Sequence, residues 1–414
     1  MMIGKFGICL FVVTTLTAVV GPIARAAESV TLEVSAGDHE RLNVPVFFEL
    51  TEALRTCRRF RLERMETDAQ KPVPVQCEEA DRPRVVWLIR DKLPAGATRR
   101  YRLTAAAERP ASGPGAVRCT DDGQCLQLMV GDRPVLGYNH TMVQAADRSE
   151  ACYDRSGFIH PVRSPSGRVL TDNLAPDHKH QHGIMYPWRV CSFEGHMVDF
   201  WHEKLRVGKV EHGKMEATGG GDVFAYFTAR LRHVDLTGAG KRKPVLDETW
   251  RVRVYNLTDC FVFDLESVQT CATGSPLIVK KFAYGGMAIR GSRRWSKPDL
   301  FDFLTSEGKT RKDGNHTRPR WCAMHGVLDG QPAGLTTLCH PGNLRFPQHV
   351  RLHPTMPYYC WAPMVEGDFR IEPGKPFVSK YRFIAFDGKV DAAVAERHWQ
   401  DYAHPVQVRI VEGP

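Results

Sequence analysis

The sequence lacks the features that mark several large protein classes. After residue 26 it has no apolar run of the roughly 20 residues that a bilayer-spanning helix needs. It has no G-x-G-x-x-G motif and no alternation of strand and helix patterns, which disfavours a nucleotide-binding fold. The motifs C-x-x-C, G-x-S-x-G and H-E-x-x-H are also absent, which disfavours zinc ribbons, standard esterases and zinc proteases.

Neither basic nor acidic side chains dominate the chain. Its 56 basic and 47 acidic side chains give a formal net charge of +9, and the excess is spread along the sequence, so we predict no nucleic-acid partner. The 414 residues are 43% hydrophobic and 25% charged, which is ordinary for a globular protein. This length allows one large domain, or a small domain followed by a large one.

The first 26 residues resemble a secretory signal peptide. Lys5 precedes the apolar stretch from Phe6 to Val20, and Ala24-Arg25-Ala26 is typical of a cleavage site. A membrane anchor is the alternative, but the apolar stretch is short for one. We therefore expect a periplasmic or extracellular protein without a stable membrane span in the mature chain.

Of the 12 cysteines, Cys9 lies in this leader. Export permits disulfides, and cysteines close in sequence can pair locally. We expect at least one short-range bridge, with Cys57–Cys77 as the first candidate and Cys119–Cys125 as the second. The alternative is a set of buried thiols that pack as small hydrophobic side chains.

Most of the remaining chain shows strand patterns. Short alternating runs in residues 27–107 predict a small N-terminal β-sandwich. Glu108 to Gly115 is rich in proline and glycine and predicts a linker. Residues 117–412 predict a large antiparallel β-sandwich, with one convincing helix from Asp391 to Tyr402. The predicted fold class is therefore all-β.

Histidines concentrate in one part of the large domain. The segment Asp177-His178-Lys179-His180-Gln181-His182 holds three of them, and on an extended strand they would lie on one face. Neighbouring imidazoles can transfer protons near neutral pH, with Asp177 as a partner, and can also bind a divalent metal. We therefore predict a functional pocket here; if a metal binds, His178, His180 and His182 are its ligands. The alternative is a polar loop with structural histidines.

Further candidates flank this segment or lie far downstream. His160 lies in a turn-rich stretch, and Trp201 offers an aromatic ring that can stack against a sugar. A second stretch combines histidines, arginines that can clamp an anionic group, and a tyrosine. We expect the following residues of this stretch to share the pocket, His340 as a catalytic residue and the others in substrate binding: His340, Asn343, Arg345, Arg351, His353 and Tyr358.

Taken in order, these motifs resemble a known group of proteins. The quoted set is His160-Pro161, Ser166-Gly167, Asp177 to Gly183, Asp199-Phe200-Trp201, His340 to Arg345 and Pro357-Tyr358. It is similar to the secreted bacterial proteins grouped as the PmoA family, or methane oxygenase PmoA. The large domain also resembles the galactose-mutarotase-like sandwiches, which implies a sugar-binding concave sheet. A membrane-embedded methane monooxygenase subunit needs spanning helices, so we do not expect methane oxidation.

Three functions fit these observations. The first is an exported carbohydrate-active enzyme that performs acid–base chemistry at the histidine pocket, by hydrolysis, elimination or epimerisation. The second is a non-catalytic glycan-binding protein, and the third is a metal-dependent oxidoreductase. The expected partner is a carbohydrate, with anionic ones among the candidates.

Overall fold

The structure is a computed structural model, and it describes Met1 and residues 29–65, 70–78, 82–106, 116–238 and 242–412. The predicted leader, apart from Met1, and the predicted linker from Glu108 to Gly115 lie outside the described residues. Within these ranges, no helix is long and apolar enough to cross a bilayer.

The described residues form thirty strands, and every pairing between them is antiparallel. The first ten are β1 (Ser29–Ser35), β2 (Val44–Glu49), β3 (Phe60–Met65), β4 (Gln70–Val73), β5 (Val75–Glu78), β6 (Arg84–Ile89), β7 (Thr98–Ala105), β8 (Val117–Asp121), β9 (Cys125–Val130) and β10 (Arg133–Asn139). The next ten are β11 (Phe158–Val162), β12 (Asn173–Ala175), β13 (His178–His182), β14 (Ile184–Met185), β15 (Cys191–Phe193), β16 (His196–Val198), β17 (Gly208–Gly219), β18 (Phe224–Asp235), β19 (Lys243–Tyr255) and β20 (Phe261–Cys271). The last ten are β21 (Leu277–Val279), β22 (Met287–Arg290), β23 (Phe301–Thr305), β24 (Trp321–Leu328), β25 (Gln331–Cys339), β26 (Val350–Leu352), β27 (Tyr358–Trp361), β28 (Phe369–Ile371), β29 (Phe377–Asp387) and β30 (Gln407–Glu412).

Helical structure is sparse in the described residues. The α-helix α1 (Ala392–Ala403) begins where the Asp391 carboxylate accepts hydrogen bonds from the backbone N–H groups of Ala393 and Val394. It ends just before Pro405, which has no backbone N–H to continue it. The short 3-10 helices are Arg148–Tyr153, Glu203–Leu205, Pro298–Leu300 and Pro363–Val365.

The first strands build a small sandwich, as the sequence predicts. One sheet has the order β30-β1-β7-β3-β4 and the other the order β2-β6-β5. Their facing side chains form one buried cluster, in which the Trp87 and Tyr101 rings pack edge to face at 5.4 Å. The last strand, β30, pairs with β1. The C-terminal segment therefore completes the small sandwich, and the prediction that residues up to 412 belong to the large domain is wrong for this strand.

Two eight-stranded sheets form the large sandwich. The front sheet has the order β26-β27-β22-β14-β11-β10-β9-β8, and the back sheet has the order β17-β18-β19-β20-β29-β25-β24-β23. Alternate side chains of both sheets point into a shared core, where Tyr138 of the front sheet stacks on Phe227 of the back sheet at 4.6 Å. The chain is therefore an all-β sandwich protein, as predicted.

A third buried cluster joins the two sandwiches. Val86 and Leu88 of β6 pack with Trp321, Ile384 and the helix residue Trp399 on the outer face of the back sheet. Part of the outer face of the back sheet is thus buried as well. The predicted boundary between the domains falls in the linker outside the described residues and stays a prediction.

The predicted disulfides are not formed. None of the eleven cysteines in the described residues is in a disulfide. The strand register explains the second pair, because Cys119 of β8 lies opposite Leu128 and not opposite Cys125. The Cys77 thiol donates instead to the carbonyl of Arg58 at 3.1 Å.

The C-terminal strand offers a test of this architecture. Val408 packs against the core of the small sandwich, whereas the Ile410 side chain on the same strand is 42% exposed. Val408→Asp buries a charge against apolar side chains, and we expect it to lower the free energy of unfolding by about 2 kcal/mol. Ile410→Asp, the matched control, should change it by less than about 0.5 kcal/mol. Equal effects in chemical denaturation would contradict the placement of β30.

Candidate active site

The histidine segment forms a hairpin beside the front sheet. β12 and β13 pair across the two-residue turn Pro176-Asp177, with Ala175 opposite His178. Gly183 then joins β13 to β14 with a φ of +48°. A Cβ atom there would lie 2.1 Å from the carbonyl oxygen of Ile159, so only glycine fits. This close approach fixes the hairpin against the front sheet.

Four half-buried imidazoles meet at this hairpin, and we call them the histidine cluster: His178, His180, His202 and His353. The ring centroids of His178 and His180 are 5.5 Å apart, and His180 lies 4.8 Å from His202. His353, from the loop after β26, lies 6.1 Å from His178. Three separate segments of the chain therefore bring their imidazoles together.

A phenol completes the histidine cluster. The Tyr284 hydroxyl is 3.1 Å from Nε2 of His202, within hydrogen-bond distance. Tyr284 is half-buried, and the two glycines that follow it both have positive φ angles, +134° and +88°. Residues 285–286 therefore need glycine, and they place the tyrosine at the end of a tight turn.

Asp199 holds the segment that carries His202. Its carboxylate accepts hydrogen bonds from the backbone N–H groups of Trp201 and His202, both at 2.9 Å, and it pairs with Arg189. Trp201 is only 1% exposed and packs edge to face on Tyr284 and Tyr358. The expectation that Trp201 stacks against a sugar is therefore wrong, because its ring is a buried support beneath the histidine cluster.

All four imidazoles favour the neutral form. Burial, followed by repulsion from His202 and His178, lowers the pKa of His180 from 6.5 to about 3. Burial and then Arg351 lower the pKa of His353 to about 4. The pKa values of His178 and His202 are also lowered, chiefly by burial. At neutral pH the histidine cluster is therefore a group of uncharged bases.

His182 lies apart from this group, although the alternation predicts it on the same face. It is 1% exposed, and its Nε2 lies 3.0 Å from Glu203, which in turn pairs with the buried Arg155 at 3.0 Å. Gln181 and His182 are both buried because the end of β13 runs into the front sheet, so alternation fails there. His182 consequently anchors the hairpin and is shielded from ligands.

Asp177 occupies the exposed turn of the hairpin. Its Oδ1 accepts a hydrogen bond from Arg290 at 2.8 Å, and Arg290 also donates to Gln181 at 2.9 Å. The Asp177 side chain is 43% exposed, and its Oδ2 is 3.9 Å from Nδ1 of His178. This carboxylate is thus at the edge of the histidine cluster, held in place by a guanidinium.

The downstream stretch divides between two places. His353 joins the histidine cluster, with Arg351 beside it and the buried Tyr358 ring 6.4 Å away. Arg345 instead donates to the carbonyls of Pro363, Gly367 and Asp368, so it braces a loop.

Two other residues of the downstream stretch, Asn343 and His340, also lie away from the histidine cluster. The Asn343 amide bonds the backbone of Lys380, and its Oδ1 accepts from the Lys380 N–H at 2.8 Å. His340 packs on Tyr402 of α1 and lines a cavity on the outer face of the back sheet. The expectation that His340, Asn343 and Arg345 line the histidine pocket is therefore wrong, because they contact α1, β29 and the segment 363–368 instead.

Two predictions remain to be compared with the structure, the place of His160 and the metal site. Nδ1 of His160 lies 3.0 Å from the Thr171 hydroxyl, and burial lowers the pKa of His160 to about 4. Across the part of the chain that the structure describes, no three His, Cys, Asp or Glu side chains converge as metal ligands do. His178, His180 and His182 in particular do not converge, because His182 turns into the protein and binds Glu203.

Known proteins provide limited guidance. Residues 125–400 match the profile of DUF6807, described as a family of unknown function. A search of curated proteins finds no match. The resemblance to the PmoA proteins is not among the matches and stays a prediction.

Two solved structures align with the chain at low sequence identity. An alpha-mannosidase from Enterococcus faecalis V583 shares 7% identity at a TM-score of 0.43, over 93% of this chain and 46% of that chain. This chain thus spans about half of the mannosidase. A galactose mutarotase related enzyme from Lactobacillus acidophilus shares 10% identity at a TM-score of 0.29, over 66% of this chain and 100% of that chain. Likenesses this weak carry no argument about function. The family match covers two thirds of the sequence, and the chain belongs to the DUF6807 family.

Proposed function

We propose that the chain is a carbohydrate-active enzyme that performs proton transfer at the histidine cluster. The observation that carries the proposal is the meeting of four neutral imidazoles with the Tyr284 hydroxyl at a half-buried surface. A neutral imidazole can accept a proton as a general base, and the Tyr284 hydroxyl, which is hydrogen-bonded to His202, can donate one. These groups come from loops and a hairpin that a rigid sandwich supports, as catalytic groups commonly do.

The type of side chain supports a sugar ligand. Neutral histidine and tyrosine each donate and accept hydrogen bonds, which suits the hydroxyl groups of a carbohydrate. Arg351 lies near His353, and its Nη1 donates to Asn315 and to the carbonyl of Leu352. Its other N–H groups can bind a carboxylate on the ligand. We therefore infer that a sugar acid is the preferred substrate class.

The same side chains favour elimination or epimerisation over hydrolysis. Glycoside hydrolases generally use two carboxyl groups that flank the bond. Among the described residues, Asp177 is the carboxylate at the edge of the histidine cluster. Asp199 is buried and paired with Arg189, so it does not serve as the second carboxyl group. In an elimination, His180 takes the proton next to the sugar carboxylate, the C–H electron pair forms a double bond, and the leaving oxygen receives a proton from Tyr284. Arg351 offsets the charge that develops on the carboxylate.

The leader supports an exported enzyme. The predicted signal peptide would place the reaction in the periplasm or outside the cell, where polysaccharides are met. Cleavage after residue 26 is checked by N-terminal sequencing of the protein recovered from an exporting host. An intact leader on folded protein would contradict this part of the proposal.

His180→Ala tests the assignment of the base. We expect turnover of a uronic-acid polysaccharide to fall by about 10²–10⁴-fold, because the proton acceptor is lost, while the melting temperature stays within a few degrees. His196→Ala is the matched control: its imidazole is also partly exposed, but it contacts Asp235 outside the histidine cluster. A panel of neutral and acidic glycans, with metal analysis of the purified protein, identifies the substrate. Unchanged turnover in His180→Ala would refute the assignment. Tight binding of a glycan without product would favour the binding-protein alternative.

The pH profile gives a second test. Because the pKa of His180 is lowered to about 3, the base stays unprotonated as the pH falls through 6.5. We expect kcat/KM to be nearly flat from neutral pH to about pH 5 and to fall only below it. Stability must be measured in parallel. Below pH 6.5 the unfolded chain binds more protons than the folded histidine cluster, and the free energy of unfolding therefore decreases as the pH is lowered. An acid limb at about 6.5 with the fold intact would contradict the assignment.

A further inference from the structure

A large cavity lies between the two sandwiches, on the opposite side of the back sheet from the front sheet; we call it the inter-sandwich cavity. Its volume is 630 Å³, within the range typical of small-molecule sites. Its walls come from β2, β5 and β6 of the small sandwich, from β18, β19, β20 and β29 of the back sheet, and from α1. The cavity therefore exists only where both sandwiches meet.

Basic side chains outnumber acidic ones on these walls. The six basic residues are Arg82, Arg84, Arg251, Arg253, Lys380 and Arg382. The four acidic residues are Glu78, Asp264, Glu266 and Asp401. The walls therefore carry a formal excess of two positive charges, which follows from six bases less four acids.

The acids are already occupied. Glu78 accepts from both Arg84 and Arg253. Glu266 is likewise shared, by Arg251 at 2.7 Å and Lys380 at 3.4 Å. Two carboxylates thus serve four cations, and each cation keeps N–H groups to spare.

The remaining carboxylates do not relieve this excess. Asp264 is engaged by Arg382 through two hydrogen bonds, at 2.6 and 2.9 Å, and Asp401 pairs with the buried Arg41 at 3.0 Å. Nε of Arg253 is buried without a hydrogen-bond partner in the described structure. Burial also lowers the pKa of Arg84, so its charge is costly where it lies.

We propose that the inter-sandwich cavity binds a small anionic ligand, through a carboxylate, sulfate or phosphate group held by Arg84, Arg251 and Lys380. Guanidinium groups present paired N–H donors that match the oxygens of such anions. An anion would supply the acceptors that Glu78 and Glu266 cannot provide alone. This site is separate from the histidine cluster, and its failure would leave the proposed enzyme activity untouched.

Thermal unfolding of the full chain tests the proposal. The probes are inorganic sulfate, inorganic phosphate and glucuronate at millimolar concentration, with glucose as the neutral control and sodium chloride at matched ionic strength. We expect at least one of the three anions to raise the melting temperature by about 2 °C above the salt control, because a ligand that binds only the folded state stabilises it. The ranking of the three anions distinguishes a sugar carboxylate from a free inorganic anion.

Two variants make the result specific. Arg251→Gln removes a donor from the cavity, and we expect its dissociation constant for the best anion to rise at least about fivefold by calorimetry. Arg230→Gln is the matched control: Arg230 is 53% exposed against 56% for Arg251, and each pairs with one glutamate, but Arg230 lies outside the cavity. Equal loss in both variants, or no anion effect beyond that of sodium chloride, would overturn the proposal.

Discussion

Burial of the inner face and of part of the outer face of the back sheet is the constraint on which the rest of the structure depends. The inner face packs against the front sheet, and part of the outer face is covered by the small sandwich and α1. A strand covered on both sides cannot alternate simply between apolar and polar side chains. The start of β20 shows the consequence, because Phe261, Val262 and Phe263 are all buried in succession, and alternation begins only after them.

Polar groups on the covered parts of this sheet must find partners inside the protein. On the inner face, Glu248 is fully buried and accepts hydrogen bonds from Trp250, Ser267 and Gln269 while it contacts His233 at 2.8 Å. On the outer face, Asp264 and Arg382 satisfy each other. The core is therefore held by matched polar pairs as well as by apolar packing, and a lost partner would leave a buried group unsatisfied.

The sequence predicts the fold better than it predicts the site. Alternating runs reveal the strands, and the apolar face near Trp399 reveals the helix, because these signals are local. The pairing of β30 with β1 joins residues more than 370 positions apart, and no local pattern encodes it. Alternation also places His178 and His180 together correctly, but it fails at His182, where the strand enters the sheet.

The residues that complete the histidine cluster carry weaker signals. Tyr284 stands before two glycines in an otherwise ordinary stretch, and that glycine pair is the one local sign of a tight turn. His202 follows Asp199 closely enough to suggest a capped turn, but its approach to His180 depends on how two loops pack. His340, Asn343 and Arg345 mislead for the opposite reason. Their side chains are as reactive as those of a site, yet the chain uses Asn343 and Arg345 to satisfy backbone groups.

Titratable groups are buried in both the inter-sandwich cavity and the histidine cluster, but their charge states differ. In the inter-sandwich cavity, cations keep their charge because carboxylates lie beside them, so the region stays ionised and incompletely balanced. In the histidine cluster, Arg189 and Arg290 are paired with Asp199 and Asp177, and the imidazoles are left with one another. Burial, and after it repulsion between neighbouring cations, then favours loss of the proton, which costs less free energy than keeping several imidazolium charges together. One region is thus suited to holding a charge and the other to staying uncharged at neutral pH, and this difference follows from where the acids of the chain are placed.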